Sequence, residues 1–561
     1  MKSCEGYRFL GLFGLVLMSL SSWDSIAQSP FSWPLETPAG LAGSFGEIRK
    51  NHYHSGLDFK TNGQVGWPVR AVAPGCVSRL RQGPAGFGLA VYLNHDTSYT
   101  SVYAHLHQVM GPLADFLDSA QWADSSFAVD LKPDSGRFCY IQNEVFAIAG
   151  NSGSSEGPHL HFELREQSTQ IPLNPAAIGL MPADTLFPVL NAIGIFRQER
   201  GMFYLDSLFR ISDIGDTIQL VVNDTSFYMG FSAFDPAGDS RLGIQYARLN
   251  TTKGIAFEYR LGRFDFNETR YVNAHTERFV DGNGASLVIE RLHRLPNDKS
   301  GVYKLAGEGV LSVSDTAILL VEDMAGNSIR VALTFVRSQS QRSNRFSVPT
   351  ELIIPCDSAF EFRSNAGGRF SWKADALYQP LAITDTLGAK RDDNMLSDWY
   401  PFLPGKSINL HTPARALLPV RIRLESTSGR HVLIRADTPM GDMLEAIPES
   451  DDEQGEPIAL IRLSGWYAWS VDSVSPKLSW LPAFSDPVSH QEMSGLSCID
   501  TLSGISTWRL EQNGHWLRSA FDAKSGEITW SKGGTIEFPQ FYSLSVTDKC
   551  GNTSRISFVE F

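Results

Sequence analysis

Cysteine and histidine are both scarce in this chain, six and 13 among 561 residues. No two cysteines form a Cys-x-x-Cys pair, which excludes a thiolate zinc site of ordinary spacing. Basic clusters are missing as well. With 48 Lys and Arg against 61 Asp and Glu the net charge is −13, a balance that argues against a nucleic-acid surface. Beyond position 20 no apolar run is long enough to span a bilayer. The run that does exist, FLGLFGLVLMSL at 9–20, is short, follows Lys2 and Arg8, and precedes Ser25-Ile26-Ala27. This is the pattern of a secretory signal peptide over 1–27. Export is therefore expected, to the periplasm, the cell envelope or the medium. Cys4 precedes the apolar run and is not placed as a lipid-modified first residue.

Removing that segment leaves Cys76, Cys139, Cys356, Cys498 and Cys550, an odd number, so one at least stays unpaired in a monomer. Their pairing is not legible from spacing. Cys498 and Cys550 share a C-terminal segment and are a candidate bridge; small buried residues are an equal alternative.

What is abundant is β punctuation. Short alternating runs such as TIQLVVND and RVALTFV are separated by turn residues throughout, the mark of short antiparallel strands. One helix is expected, over GPLADFLDSAQWAD at 111–124, where apolar positions recur three to four apart. The polar RSQSQRSNR at 337–345 reads as a linker and the acidic PESDDEQGEP at 448–457 as a solvated loop. A partial repeat joins Asp239-x-x-x-Gly243-Ile244 to Asp500-x-x-x-Gly504-Ile505, and Val321-x-Asp323-x-x-Gly326-Asn327 to Val546-x-Asp548-x-x-Gly551-Asn552. Tight-turn chemistry explains these Asp, Gly and Asn residues better than calcium binding does. The expected fold is all-β. A small antiparallel β domain over 28–190 is followed by immunoglobulin-like sandwiches at 191–337 and 481–561, with a further β domain at 346–480.

The histidines are not spread evenly. Four of the 13 fall in NHYHSGLDF at 51–59 and GPHLHFEL at 157–164. In a strand, residues two apart point to one face, so His159 and His161 share a space. His54 and Asp58 add a nitrogen and a carboxylate oxygen, with Gly56 permitting close approach. Two imidazoles and one carboxylate, with a fourth position for water, make a catalytic zinc set.

Three ordered motifs stand here as His54-Ser-Gly-Leu-Asp58, Tyr103-Ala-His105-Leu106 and Gly157-Pro-His159-Leu-His161-Phe-Glu163. Over about 42–168 the chain resembles the lysostaphin/LytM-type zinc metallopeptidases, which cut peptidoglycan and share a small antiparallel β fold. The resemblance implies one Zn²⁺ held by His54, Asp58 and His161, with His105 and His159 as the catalytic pair. It implies peptidoglycan peptides as the substrate. His52, His95 and His107 fall outside the motif positions and are expected to be structural or solvent-exposed. Glu163 either orients a ligand imidazole or is a surface ion-pair partner.

Zn²⁺ lowers the pKa of its water from about 15.7 towards roughly 7. One of His105 and His159 would take that proton and the other would steady the tetrahedral species; the residues do not say which. An insertion at 107–142 departs from the family pattern and is expected to shape the groove or cover it. The alternative is a non-catalytic envelope protein that binds peptidoglycan or activates a hydrolase, or a chain that is chiefly adhesive. Against the first, no ligand position is missing. The C-terminal β domains are expected to position the catalytic domain against the wall or an envelope protein partner.

Overall fold

A computed structural model describes residues 31–560 apart from 37–38, 97, 213–214, 216, 281–285, 303–306, 339–351, 364–367, 384–399, 403–414, 425–430, 437–442, 449, 452–456, 464 and 532–538. The expected signal peptide, most of the expected 337–345 linker and most of the acidic loop lie outside the described residues. The rest is nearly all β, as the alternation requires. Among the described residues no helix is long and apolar enough to cross a membrane.

The N-terminal sheet carries the histidines. Its strands run in the order Ala39–Gly43, Leu57–Lys60, His159–Glu166, Tyr99–Val109, Leu89–His95, Gly75–Gln82 and Cys139–Tyr140, with Pro68–Arg70 and Val145–Ala149 joining off this path. Every pairing in it is antiparallel. One face packs Leu57, Phe59, Tyr103, Leu160 and Phe162 into the core, all fully buried. The alternate residues, among them Asp58, His159, His161 and Glu163, therefore share the opposite face.

Two sheets follow. In one, Val189–Glu199 pairs with Met202–Arg210 and Ser226–Ala237; in the other, Tyr246–Thr251 pairs with Gly254–Arg260 and Thr316–Glu322. Thr217–Val222 runs parallel to Ser328–Arg337. It is the one departure from the expected antiparallel pairing among the described residues. A single apolar cluster extends from Phe31 to Phe335 across residue 190, so these sheets and the N-terminal sheet share a core. Separate clusters form around Trp469 and around Leu496.

The insertion is built as expected at its start. A helix spans Pro112–Asp124 with Pro at its first turn and a left-handed Ser125 at its end. It buries Leu113, Leu117 and Gln121, four residues apart on one stripe. Further along, Cys139 lies opposite Cys76 in neighbouring strands and the two form a disulfide. The Cys498–Cys550 alternative is not realised: both are free. Cys498 lies in the strand Glu492–Ile499 of one sheet and Cys550 in the turn that closes the other.

The bridge closes a loop of 63 positions, and loop closure of that order contributes about 4 kcal/mol in the chain-entropy view. Replacing Cys76 and Cys139 together by Ala should lower the unfolding free energy of the catalytic sheet by about 2–5 kcal/mol. Urea denaturation followed by tryptophan fluorescence measures it, and an unchanged midpoint would show that the bridge adds nothing.

Candidate metal centre

Strand register sets the site. His161 lies directly opposite Asp58 in the pairing of His159–Glu166 with Leu57–Lys60, so two of the expected ligands are cross-strand neighbours. His54 enters from the loop after the hairpin Ile48–Arg49/His52–Tyr53. Its backbone N–H donates to the Glu47 carbonyl at 2.8 Å. Gly56 lets the two segments touch: a Cβ there would lie 2.1 Å from the Phe162 carbonyl oxygen.

The result is three donor atoms in one small space. His54 Nε2 is 3.0 Å from His161 Nδ1 and 3.0 Å from Asp58 Oδ1, and His161 Nδ1 is 2.9 Å from Asp58 Oδ1. All three residues are buried. The far nitrogen of each ring is committed elsewhere. His54 Nδ1 lies 2.8 Å from the Ser44 carbonyl, and His161 Nε2 lies 2.9 Å from Glu163 Oε1. Both partners are acceptors, so these nitrogens carry the protons. That leaves lone pairs on His54 Nε2 and His161 Nδ1 facing each other and a carboxylate oxygen. Such a convergence needs a positive charge among its members, a proton on His161 or a metal ion in its place, and two nitrogens with one oxygen suit Zn²⁺.

The surrounding charges agree. Burial disfavours a charged His161, but the Asp58 and Glu163 carboxylates on its two sides override it and lift the imidazole to about 9. Burial acts against Asp58 too, yet His54, His159 and His161 hold it well below the usual carboxylate range. Glu163 is fully buried, not a surface partner. It also takes a hydrogen bond from Ser55 Oγ and an ion pair from Arg165. Despite burial, Arg165 and His161 hold it down at about 2. Its place behind a ligand imidazole is the arrangement that fixes a tautomer and ring plane.

His105 and His159 lie beside this triad with ring centroids 4.8 Å apart. His159 Nε2 is 3.4 Å from Asp58 Oδ1, and its Nδ1 is 2.8 Å from the Gly157 carbonyl. His105 has φ 58°, a left-handed backbone unusual for any residue but Gly. A register shift between Leu89 and Val91, which pair with Leu106 and Tyr103, accommodates it. The irregularity is a bulge, and it aims the imidazole into the site. His105 Nδ1 donates to the Ser152 carbonyl at 2.8 Å, leaving Nε2 as an acceptor. Burial, then the neighbouring His161 and His159, push its pKa down to about 3.

The other motif-adjacent histidines go elsewhere. His52 is exposed. His95 is buried between Ser101 Oγ at 2.7 Å and the Pro74 carbonyl at 2.8 Å. His107 pairs with Asp486 at 3.0 Å. Sequence reading missed two contributors. Arg49 Nη2 donates to Asp58 Oδ2 at 2.9 Å, and Phe87 stacks on His161 with centroids 5.2 Å apart. Neither stands in a motif; the Gly-flanked Phe87 in GPAGFG was the only available hint. Replacing Glu163 by Ala should weaken zinc binding about 10–100-fold, read by competition with a chelator of known affinity. Unchanged affinity would show that Glu163 does not support the ligand.

The chain is similar to several known proteins over this region. The model of Peptidase family M23 matches residues 52–114, a span holding His54, Asp58 and His105; His159 and His161 lie beyond it. An uncharacterized metalloprotease of Haemophilus influenzae is 27% identical over 163 residues, 28% of this chain and 29% of its own. The DD-carboxypeptidase/endopeptidase Mpg of Neisseria meningitidis is 31% identical over 128 residues, 23% of each chain. The chain thus spans less than a third of the curated relatives it matches. Among solved structures, a zinc containing peptidase from Vibrio cholerae aligns at 25% identity over 28% of this chain and 40% of its own, with a TM-score of 0.19. The sheet that gathers His54, Asp58 and His105 accordingly carries the match to Peptidase family M23.

Proposed function

We propose that this chain is an exported, zinc-dependent endopeptidase that hydrolyses peptide bonds in bacterial peptidoglycan. The observation that carries the reading is the inward-facing set of His54 Nε2, His161 Nδ1 and Asp58 Oδ1, whose outer nitrogens are already committed to Ser44 and Glu163. The Neisseria relative, described as a carboxypeptidase and endopeptidase, supports the substrate class. Export rests on the expected signal peptide. The domain limits expected from the sequence, at 190, 337, 346 and 480, belong to the same proposal.

A zinc ion held by His54, Asp58 and His161 supplies a Lewis acid and a water that ionises near neutral pH. The remaining work falls to side chains. With its Nδ1 proton fixed on the Ser152 carbonyl, neutral His105 presents Nε2 as the acceptor that would take a proton from that water and become charged. His159 faces the same space and steadies the oxygen on which charge develops. Arg49, already on Asp58, limits the rotation of that ligand.

The 107–142 insertion forms one wall near the site and is itself covered by the C-terminal sheets. Trp122 meets Trp516 edge to face at 5.1 Å, Phe127 meets Trp508, and Arg518 pairs with Asp118. Lys524 donates to the Asn151 carbonyl at 2.6 Å, in the Gly/Ser-rich loop leading to His159. A cavity of about 350 Å³ lies along this seam, lined by His107, Leu117, Asp486 and Arg518. Among the described residues, the 477–560 sheets thus reach the chain's own insertion and the loop at Asn151.

Mass spectrometry of purified muropeptides incubated with the full chain tests the reading. New peptide termini should form with the native sequence and not with His161→Ala. His105→Ala should lower kcat about 10²–10⁴-fold while zinc content stays at one equivalent. A zinc-loaded chain that leaves muropeptides intact would favour the non-catalytic alternative.

A further inference from the structure

The two halves of the internal repeat each gather three carboxylates. Asp184, Asp235 and Asp323 form one cluster, and Asp472, Asp500 and Asp548 form the other, in each case with one oxygen per residue within 4.8 Å of the others. The clusters are built alike. Asp184 Oδ1 accepts from the Leu186 N–H at 3.0 Å, as Asp472 Oδ1 accepts from the Val474 N–H at 3.2 Å. Asp323 Oδ1 accepts from the Asn327 N–H at 2.9 Å, as Asp548 Oδ1 accepts from the Asn552 N–H at 2.8 Å. Asn327 and Asn552 each turn their amide to the backbone carbonyl of the first Asp.

They differ in the middle member. Asp500 Oδ1 accepts from the N–H groups of Leu502 and Gly504, and Asp548 Oδ2 accepts from the Asn552 amide. Turn chemistry satisfies that cluster. In the other, Asp235 Oδ1 and Asp323 Oδ2 are buried with no hydrogen-bond partner, and both residues are only 2% exposed. An unpaired buried carboxylate oxygen is costly, and two beside a third carboxylate more so. Burial and then the Asp184 and Asp323 charges push Asp235 up to about 7. The lysine lining the adjoining cavity, Lys60, is taken by Asp239. Asp239, the residue that the sequence repeat aligns with Asp500, is exposed and outside the cluster.

We propose that Asp184, Asp235 and Asp323 bind a calcium ion at the junction between the catalytic sheet and the sheets that follow it. The donors are all hard oxygens and contain no nitrogen or sulfur, which suits Ca²⁺ and not Zn²⁺. Half-buried Asp184 leaves an opening for water to complete about six to eight ligands. Asp184 lies in the connecting segment, Asp235 in the strand Ser226–Ala237 of one sheet, and Asp323 just after Thr316–Glu322 of the other. One ion therefore ties the connection to both sheets. The adjoining cavity of about 490 Å³ is also lined by Gly40, Leu41 and Lys60 of the catalytic sheet.

Isothermal titration of Ca²⁺ into the zinc-loaded full chain tests this. The native sequence should take up one equivalent and gain a few degrees in Tm at saturating Ca²⁺. Asp235→Asn should lose both, while folding without Ca²⁺ at least as well as the native chain because a repulsive charge is gone. Asp500→Asn, in the satisfied cluster, should keep both. No uptake by the native chain, or uptake that survives Asp235→Asn, would overturn the proposal. Muropeptide cleavage measured alongside keeps the result separate from the peptidase reading, which does not depend on it.

Discussion

Two imidazole lone pairs and a carboxylate oxygen, all within about 3 Å of one another in a buried pocket, are the constraint around which this fold is arranged. They have lost their water and need a positive charge among them, a proton or a metal ion. Holding them there requires that each ring be unable to turn away. The Ser44 carbonyl does this for His54 and Glu163 for His161. Glu163 in turn is a fully buried anion, tolerable only because Arg165 and Ser55 surround it. The strand His159–Glu166 thus places His159, His161 and Glu163 on one face at two-residue spacing. A slip of one residue would bury the imidazoles in the apolar core and expose Leu160 and Phe162.

The position of His54 depends on material outside the motifs. The loop bearing His54 is pinned by the sheets beyond residue 190: Tyr53 N–H donates to Thr269 Oγ1 at 2.8 Å, and Gln245 reaches the Phe45 carbonyl. Phe264 packs against both Phe45 and Tyr53, at 5.4 and 5.5 Å between centroids. Arg165 extends the link, its guanidinium over Phe266 at 4.7 Å. The first downstream pair of sheets is therefore part of what shapes the metal centre. Cutting the chain near 190 would expose Phe45 and Tyr53, both almost wholly buried.

Much of this was legible in the sequence for definite reasons. Two-residue spacing in His159-Leu-His161 needs only strand geometry to be read, and the helix at 112–124 announces itself by apolar period and a first-turn Pro. The Asp-x-x-Gly-Asn segments are tight turns, as their residue chemistry implied: Gly326 has φ 92° and Gly551 φ 84°. What was not legible depends on register and distance. The bulge that aims His105 exists only in the pairing of Leu89–His95 with Tyr99–Val109. Arg49 and Phe87 reach the site because strands bring them there. The Cys76–Cys139 bridge is set by two residues falling opposite each other across an inserted helix, which spacing does not encode. Aligning the repeat by its Gly-Ile pair selected Asp239, whereas the carboxylate occupying that place in space is Asp235.

The downstream sheets attach in two physically different ways. Those at 189–337 continue the catalytic core as one apolar cluster, a junction that water and salt do not readily weaken. The sheets at 477–560 touch the insertion through Arg518 with Asp118, His107 with Asp486 and two aromatic pairs, and the Gly/Ser-rich loop through Lys524 with the Asn151 carbonyl. Exposed ion pairs of this kind contribute little each and are screened by salt. Trp122 keeps half its surface exposed even against Trp516. The first junction therefore holds the loop that bears His54, while the second rests on contacts that salt weakens. The Gly/Ser-rich approach is held chiefly from its own side: Ser152 Oγ accepts from the Leu89 N–H and donates to the Leu106 carbonyl, Ser154 Oγ accepts from the Gly86 N–H, and Lys524 adds one contact from outside.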